Sequence, residues 1–174
     1  LVTAGLDDPG AEQWRTLVAE RDDVLGAFAV TRDEILLVVT EAAVDRVERR
    51  SLANGTLLGA IEGLGVVSVG LAGDRDRSGC FVSVMGFTEP VAVWKWDEPT
   101  GLQRWAPEPA GPGAVAELAV RYCTYPSADG TEVGLFVIHR ADLVPSPSTP
   151  AILTGYGGFA ITESPVWSQT IAAW

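Results

Sequence analysis

Histidine is nearly missing from this sequence, cysteine is scarce, and basic residues are outnumbered almost two to one. The one histidine is His139, and the two cysteines are Cys80 and Cys123. Neither cysteine belongs to a Cys-x-x-Cys pair. A zinc site needs more ligands at closer spacing, so no metal and no cofactor is expected. Both thiols read as buried and free, which suits a cytoplasmic protein. Twelve Lys and Arg against 23 Asp and Glu give a net charge of -11. That excludes the cationic footprint that holds nucleic-acid phosphates, and it argues against an anionic membrane as partner. The excess acid reads as a solvated surface. No apolar run approaches the roughly 18 residues of a membrane span. The chain starts at Leu1 rather than methionine, so the lack of a leader carries no weight.

What is present favours β structure. The 174 residues are 47% hydrophobic, enough for one domain or pieces of two, and they include 19 glycines, 11 prolines and six tryptophans. Frequent turn residues and large rings suit strands better than a helix bundle.

Taken in order, residues 1–23 are mostly polar, with a turn at Asp7-Asp8-Pro9-Gly10 and a short strand over 12–18 expected to bury Trp14. Residues 24–30 are strand-like. Residues 35–40 form a nearly continuous apolar run, as in a strand buried on both faces. Residues 42–52 alternate, as an outer half-exposed strand would, and Asn54-Gly55 closes a hairpin into 57–61. The pattern then recurs: strands over 66–71 and 80–85, a turn at Gly86-Phe87-Thr88-Glu89-Pro90, an alternating strand over 91–96, a turn ending at Gly101, and a return over 102–105. The turn glycines Gly55 and Gly101 lie 46 positions apart (101 − 55). Propeller blades of four strands repeat every 40–50 residues or so, which this spacing matches; a β-sandwich of hairpins is the structural alternative.

A Pro/Gly stretch, 106–113, follows and is the best domain boundary in the chain. Beyond it, 118–125 and 131–140 read as a hairpin around Pro126-Ser127-Ala128-Asp129-Gly130. A proline-rich loop leads to Ala151-Ile152-Leu153, a buried-strand pattern that breaks at Gly155-Tyr156-Gly157-Gly158-Phe159. Three glycines around one tyrosine let another backbone or a ligand come close. Such a tyrosine reads as presented at a strand end beside open space. The alternative is a surface turn with its hydroxyl in water.

These residues resemble the prolyl oligopeptidase family of serine peptidases. Tyr125-Pro126-Ser127-Ala128-Asp129-Gly130-Thr131 is similar to the family's hairpin at the start of its catalytic domain. Gly155-Tyr156-Gly157-Gly158-Phe159, with Pro165 and Ser168 downstream, resembles its Tyr-Gly-Gly-Phe segment. Phe87-Thr88-Glu89-Pro90 resembles the Phe-x-x-Pro of its final blade. The family often has tyrosine where this chain has Thr154. The resemblance implies a mainly β fold: the last two to three blades of a seven-bladed β-propeller over 1–113, then the opening strands of an α/β-hydrolase domain over 114–174. It implies that the Tyr156 hydroxyl helps form an oxyanion hole and that Phe159 lines the substrate pocket. It implies cleavage of short peptides on the carboxyl side of proline, through an acyl-enzyme. The partners it implies are short proline-containing peptides and the remaining blades and catalytic domain of the same protein.

A nucleophile elbow, Gly-x-Ser-x-Gly, is absent from these 174 residues. His139 reads as a structural or surface residue of its strand, Asp129 as a turn residue, and Glu163 as an exposed loop acid. The chain's apolar end at Trp174 reads as a cut, and the fragment alone is expected to be inactive. Two other readings remain: a non-catalytic β-propeller binding module, and a different α/β-hydrolase such as an esterase or an aminopeptidase-like relative.

Overall fold

A computed structural model describes residues 1–106, 117–159 and 161–174. The boundary expected at residue 113 lies outside the described residues, as does the Pro/Gly stretch apart from Ala106.

Two short strands, β1 (Val2–Thr3) and β2 (Arg15–Thr16), pair at the start of the chain. Two four-stranded antiparallel sheets follow, each with its strands in chain order. The first holds β3 (Val24–Val30), β4 (Glu34–Glu41), β5 (Val44–Ser51) and β6 (Leu57–Ile61). The second holds β7 (Val67–Gly73), β8 (Cys80–Gly86), β9 (Ala92–Asp97) and β10 (Gly101–Arg104). Each is a four-stranded up-and-down meander of the kind that makes a propeller blade. The third connection of each carries a glycine in the left-handed region, Gly55 within the turn at φ 73° and Gly101, the first residue of β10, at φ 69°.

The sheets meet face to face. Side chains alternate across a strand, so Leu36, Val47 and Ile61 of the first sheet point one way and meet Cys80, Val82 and Trp96 of the second. Complete burial of such a side chain contributes about 1.5–3 kcal/mol. Leu37 and Val39 point the other way, onto Val18, Leu17 and Leu1. This is why the 35–40 run carries no polar alternation. Polar ties complete the junction. The Asp45 carboxylate accepts the Thr40 hydroxyl at 2.6 Å and the Val69 N–H, from edge strand β7, at 2.8 Å. Arg49 reaches Glu34 at 2.9 Å and Glu98 of the second sheet at 3.0 Å, with its guanidinium 4.4 Å from the Trp96 ring centre.

Five expectations fail, the first being the strand over 12–18, of which only Arg15–Thr16 is strand, behind a 3-10 turn at Ala11–Gln13. Ala42 and Ala43 are not strand: they are the two central residues of the β4–β5 turn, at φ 51° and 62°. Strand β5 is not half-exposed throughout, since Val47, Glu48 and Arg50 are buried. Trp14 is exposed, its indole N–H bonding the Pro9 carbonyl at 3.1 Å across a local turn. Cys123 is only half-buried, although both cysteines are free. Burial pushes the Cys80 thiol up to about 12.

The second part of the chain is sparser. Strands β11 (Leu118–Pro126) and β12 (Glu132–Arg140) pair as a two-stranded hairpin, and α1 (Gln169–Ala173) lies near the end. Among the described residues, no helix is long and apolar enough to cross a membrane.

Candidate functional site

The segment that carries the proposed site begins in the proline-rich loop. There Ser146 and Thr149 close a turn through the Thr149 N–H to Ser146 carbonyl bond at 3.0 Å and the Ser146 N–H to Thr149 Oγ1 bond at 2.9 Å. The chain then runs without a strand partner through 151–157. The buried strand expected at Ala151, Ile152 and Leu153 is therefore corrected. Ile152 and Leu153 are exposed, because an apolar run becomes a buried strand only where a sheet edge accepts its backbone and a surface covers its side chains.

The backbone turns at the glycines. Gly157 has φ 69° and Phe159 φ 54°, and the Ile161 N–H bonds the Gly158 carbonyl at 3.1 Å. A side chain added at Gly155, Gly157 or Gly158 would meet nothing within 4 Å. Open space thus lies beside the tyrosine. The fold brings the two expected site residues together: the Tyr156 and Phe159 rings meet edge to face, centroids 6.5 Å apart at 67°. Both are exposed, Tyr156 by 53% and Phe159 by 92%. The phenol is available as a hydrogen-bond donor beside an aromatic wall.

The remaining candidates take structural positions. His139 sits in β12 with Nδ1 2.8 Å from the Arg140 carbonyl. Asp129 accepts the Thr131 N–H at 2.9 Å in the β11–β12 turn, which holds its carboxyl below the usual range. Glu163 is exposed, and Pro165 is buried. Ser168 caps α1, its hydroxyl accepting the Ile171 N–H at 3.3 Å.

Two features escaped the sequence reading. One is a buried charge network on β5. Glu48 bonds Arg50 Nε at 2.8 Å and both terminal nitrogens of Arg21 at 3.2 Å, and Arg50 also donates to the Gly55 carbonyl at 2.8 Å. Arg21 reaches Asp23 at 2.7 Å, which in turn accepts Arg46 at 2.7 Å. The signal was the period-2 spacing of residues 46, 48 and 50, which puts three charges on one face. The other is a cleft of about 340 Å³ where the β6–β7 and β8–β9 connections meet β11, lined by Leu64, Val84, Pro90, Trp94, Leu102 and Val120. Tyr156 does not line it.

The chain is similar to known proteins. Residues 1–107 match the family model described as prolyl oligopeptidase, N-terminal β-propeller domain. The chain is 27% identical to a prolyl endopeptidase of Elizabethkingia meningoseptica, covering 100% of this chain and 24% of that protein. It is 29% identical to prolyl oligopeptidase ophP of Omphalotus olearius, covering 88% and 21%. A solved prolyl endopeptidase structure superimposes with a TM-score of 0.81 at 26% identity, covering 99% of this chain and 26% of that one. The chain thus spans about a quarter of the length of these relatives. Two four-stranded blades at the expected spacing, within a stretch that the propeller model matches, place this chain in the prolyl oligopeptidase family.

Proposed function

We propose that these residues belong to a serine endopeptidase that cleaves short peptides after proline through an acyl-enzyme, and that Tyr156 helps form its oxyanion hole. In this reading residues 1–113 are the last two to three blades of the propeller. Residues 114–174, starting with β11 and β12, open the α/β-hydrolase domain. The triad serine, aspartate and histidine lie outside these residues, and the protein works in the cytoplasm. The observation that carries the reading is the placement of Tyr156 against Phe159 on an open glycine turn, in a chain that aligns over its whole length with a prolyl endopeptidase.

The chemistry follows from charge. Attack on the scissile carbonyl develops negative charge on its oxygen. A hydroxyl already aimed there stabilises the transition state more than the ground state. Tyr156 donates that bond, and the bare glycine backbone on either side lets the peptide approach. Phe159 offers an apolar face to the proline ring.

The test uses the complete protein that contains these residues, on a chromogenic proline substrate and its alanine counterpart. Preference for proline is expected; preference for alanine would sink the prolyl assignment in favour of an aminopeptidase-like relative. Tyr156→Phe should lower kcat about 100- to 1000-fold with little change in KM. An unchanged kcat would refute the oxyanion role.

A further inference from the structure

We propose that the Phe87-Thr88-Glu89-Pro90 turn is the seat on which the β11–β12 hairpin docks, with Phe136 as its anchor. The turn joins β8 to β9 at the end of the second sheet, closed by a Gly86 N–H to Glu89 carbonyl contact at 3.4 Å. The Phe87 ring lies 5.0 Å from that of Phe136, tilted at 51°. Tyr122, the cross-strand partner of Phe136, also packs against it at 5.2 Å and 61°. Space for this packing is kept by Gly134, where an added side chain would come within 2.5 Å of the Tyr122 hydroxyl. Pro90 and Val120 line the same cleft, so the seat continues along the hairpin face that carries Val120, Tyr122 and Phe136.

The hairpin has reason to depend on this seat. Two strands alone are marginal in water, and neither β11 nor β12 holds a fully buried residue. Two aromatic pairs are therefore a large share of what orders it. The blade lends order across the chain to a hairpin it does not share a sheet with. On the proposed reading of Tyr156, on which this consequence rests, the hairpin leads directly into the segment that carries that residue. Through Phe136, Phe87 then acts as a positioning residue from the propeller side.

Amide hydrogen exchange on the complete protein tests the seat. Phe87→Ala should speed exchange in β11 and β12 about 2- to 10-fold, the worth of one aromatic pair. Phe81→Ala removes another aromatic of the same sheet, one that pairs with Trp105 instead, and should leave the hairpin unchanged. Phe87→Leu, a milder change, should fall between and guards against loss of the fold. Adding Phe87→Ala to Phe136→Ala should have little further effect, since the contact is already gone. Hairpin exchange equal to that of the parent protein, or a speed-up confined to β8 and β9, would overturn the proposal. Proline-substrate turnover is measured in parallel: a lower kcat at unchanged KM in Phe87→Ala supports the positioning role, and an unaltered kcat refutes it. If the parent protein turns over no proline substrate, the peptidase reading fails while exchange still decides the seat.

Discussion

Residues 24–104 and residues 118–174 have similar apolar content to the eye, yet they use it differently. In the first region Leu36, Val39, Val47 and Val82 lose all contact with water, and each sheet covers a face of its neighbour. In the second, Ile152, Leu153 and Phe159 stand exposed, and the hairpin meets the blade at the Phe87–Phe136 pair. The lesson is that an apolar pattern states a demand for burial. A second surface must exist to meet it. Both faces of β4 find such a surface, one in the second sheet and one in the N-terminal segment.

The comparison can be broken most severely at Glu48. Glu48→Ala leaves Arg50 and Arg21 facing each other without their anion, and should cost about 3–5 kcal/mol, read as a fall in Tm or in denaturant midpoint. Burial by itself pushes the Glu48 carboxyl up, but the hydrogen bonds and charges of Arg50 and Arg21 outweigh it and leave it below the ordinary 4.5. Its contribution is then complete above pH 4.5 and drains away as pH falls through the lowered value. Glu48→Gln should flatten that acid limb. Glu34 runs the other way. Burial outweighs its bond to Arg49 and raises its carboxyl, so its ionisation weighs against the fold as pH rises through the raised value. A Glu48→Gln protein that keeps the parent's acid limb would sink this account.

Next in size is the contrast itself. Leu36→Ala, in the seam between sheets, should cost about 2–5 kcal/mol, whereas Leu153→Ala should stay within about 0.5 kcal/mol. Equal losses in thermal melts would mean that Leu153 is covered by a surface these residues do not supply. One further effect is a gain. Ala43 holds φ 62° in a two-residue turn that favours glycine there. Ala43→Gly should add about 1 kcal/mol, visible as a higher midpoint.

The blades were legible because several signals agreed. The 35–40 run, the glycines at 55 and 101, and the strand words between them all pointed to one unit repeated. Where sequence and structure part, a single signal stands by itself. Ala42-Ala43 carries no turn chemistry, so the hairpin it makes is imposed by the pairing of β4 with β5 and not by local preference. The size of Trp14 points to the core, but its indole N–H finds a carbonyl at the surface instead. The pairing of Tyr156 with Phe159 could be guessed from their spacing around glycines, since a three-residue separation across a turn returns the chain on itself. Its orientation could not be, because that depends on φ at Gly157 and Phe159. The Phe87–Phe136 contact joins residues far apart in sequence, and no local pattern announces it.

Each four-stranded sheet pairs only strands that follow one another in the chain, so its backbone ladders close over short loops. Among the described residues, β3, β4 and β5 of the first sheet meet the second sheet at its edge strand β7. The two blades therefore behave as links in a linear chain of cooperative units, their stability a sum of local terms and one junction term. Short-range pairing of this kind also forms quickly, because little loop entropy is lost before contacts reward it. A lesion inside one link should then spread to its neighbour through Arg49 and Asp45.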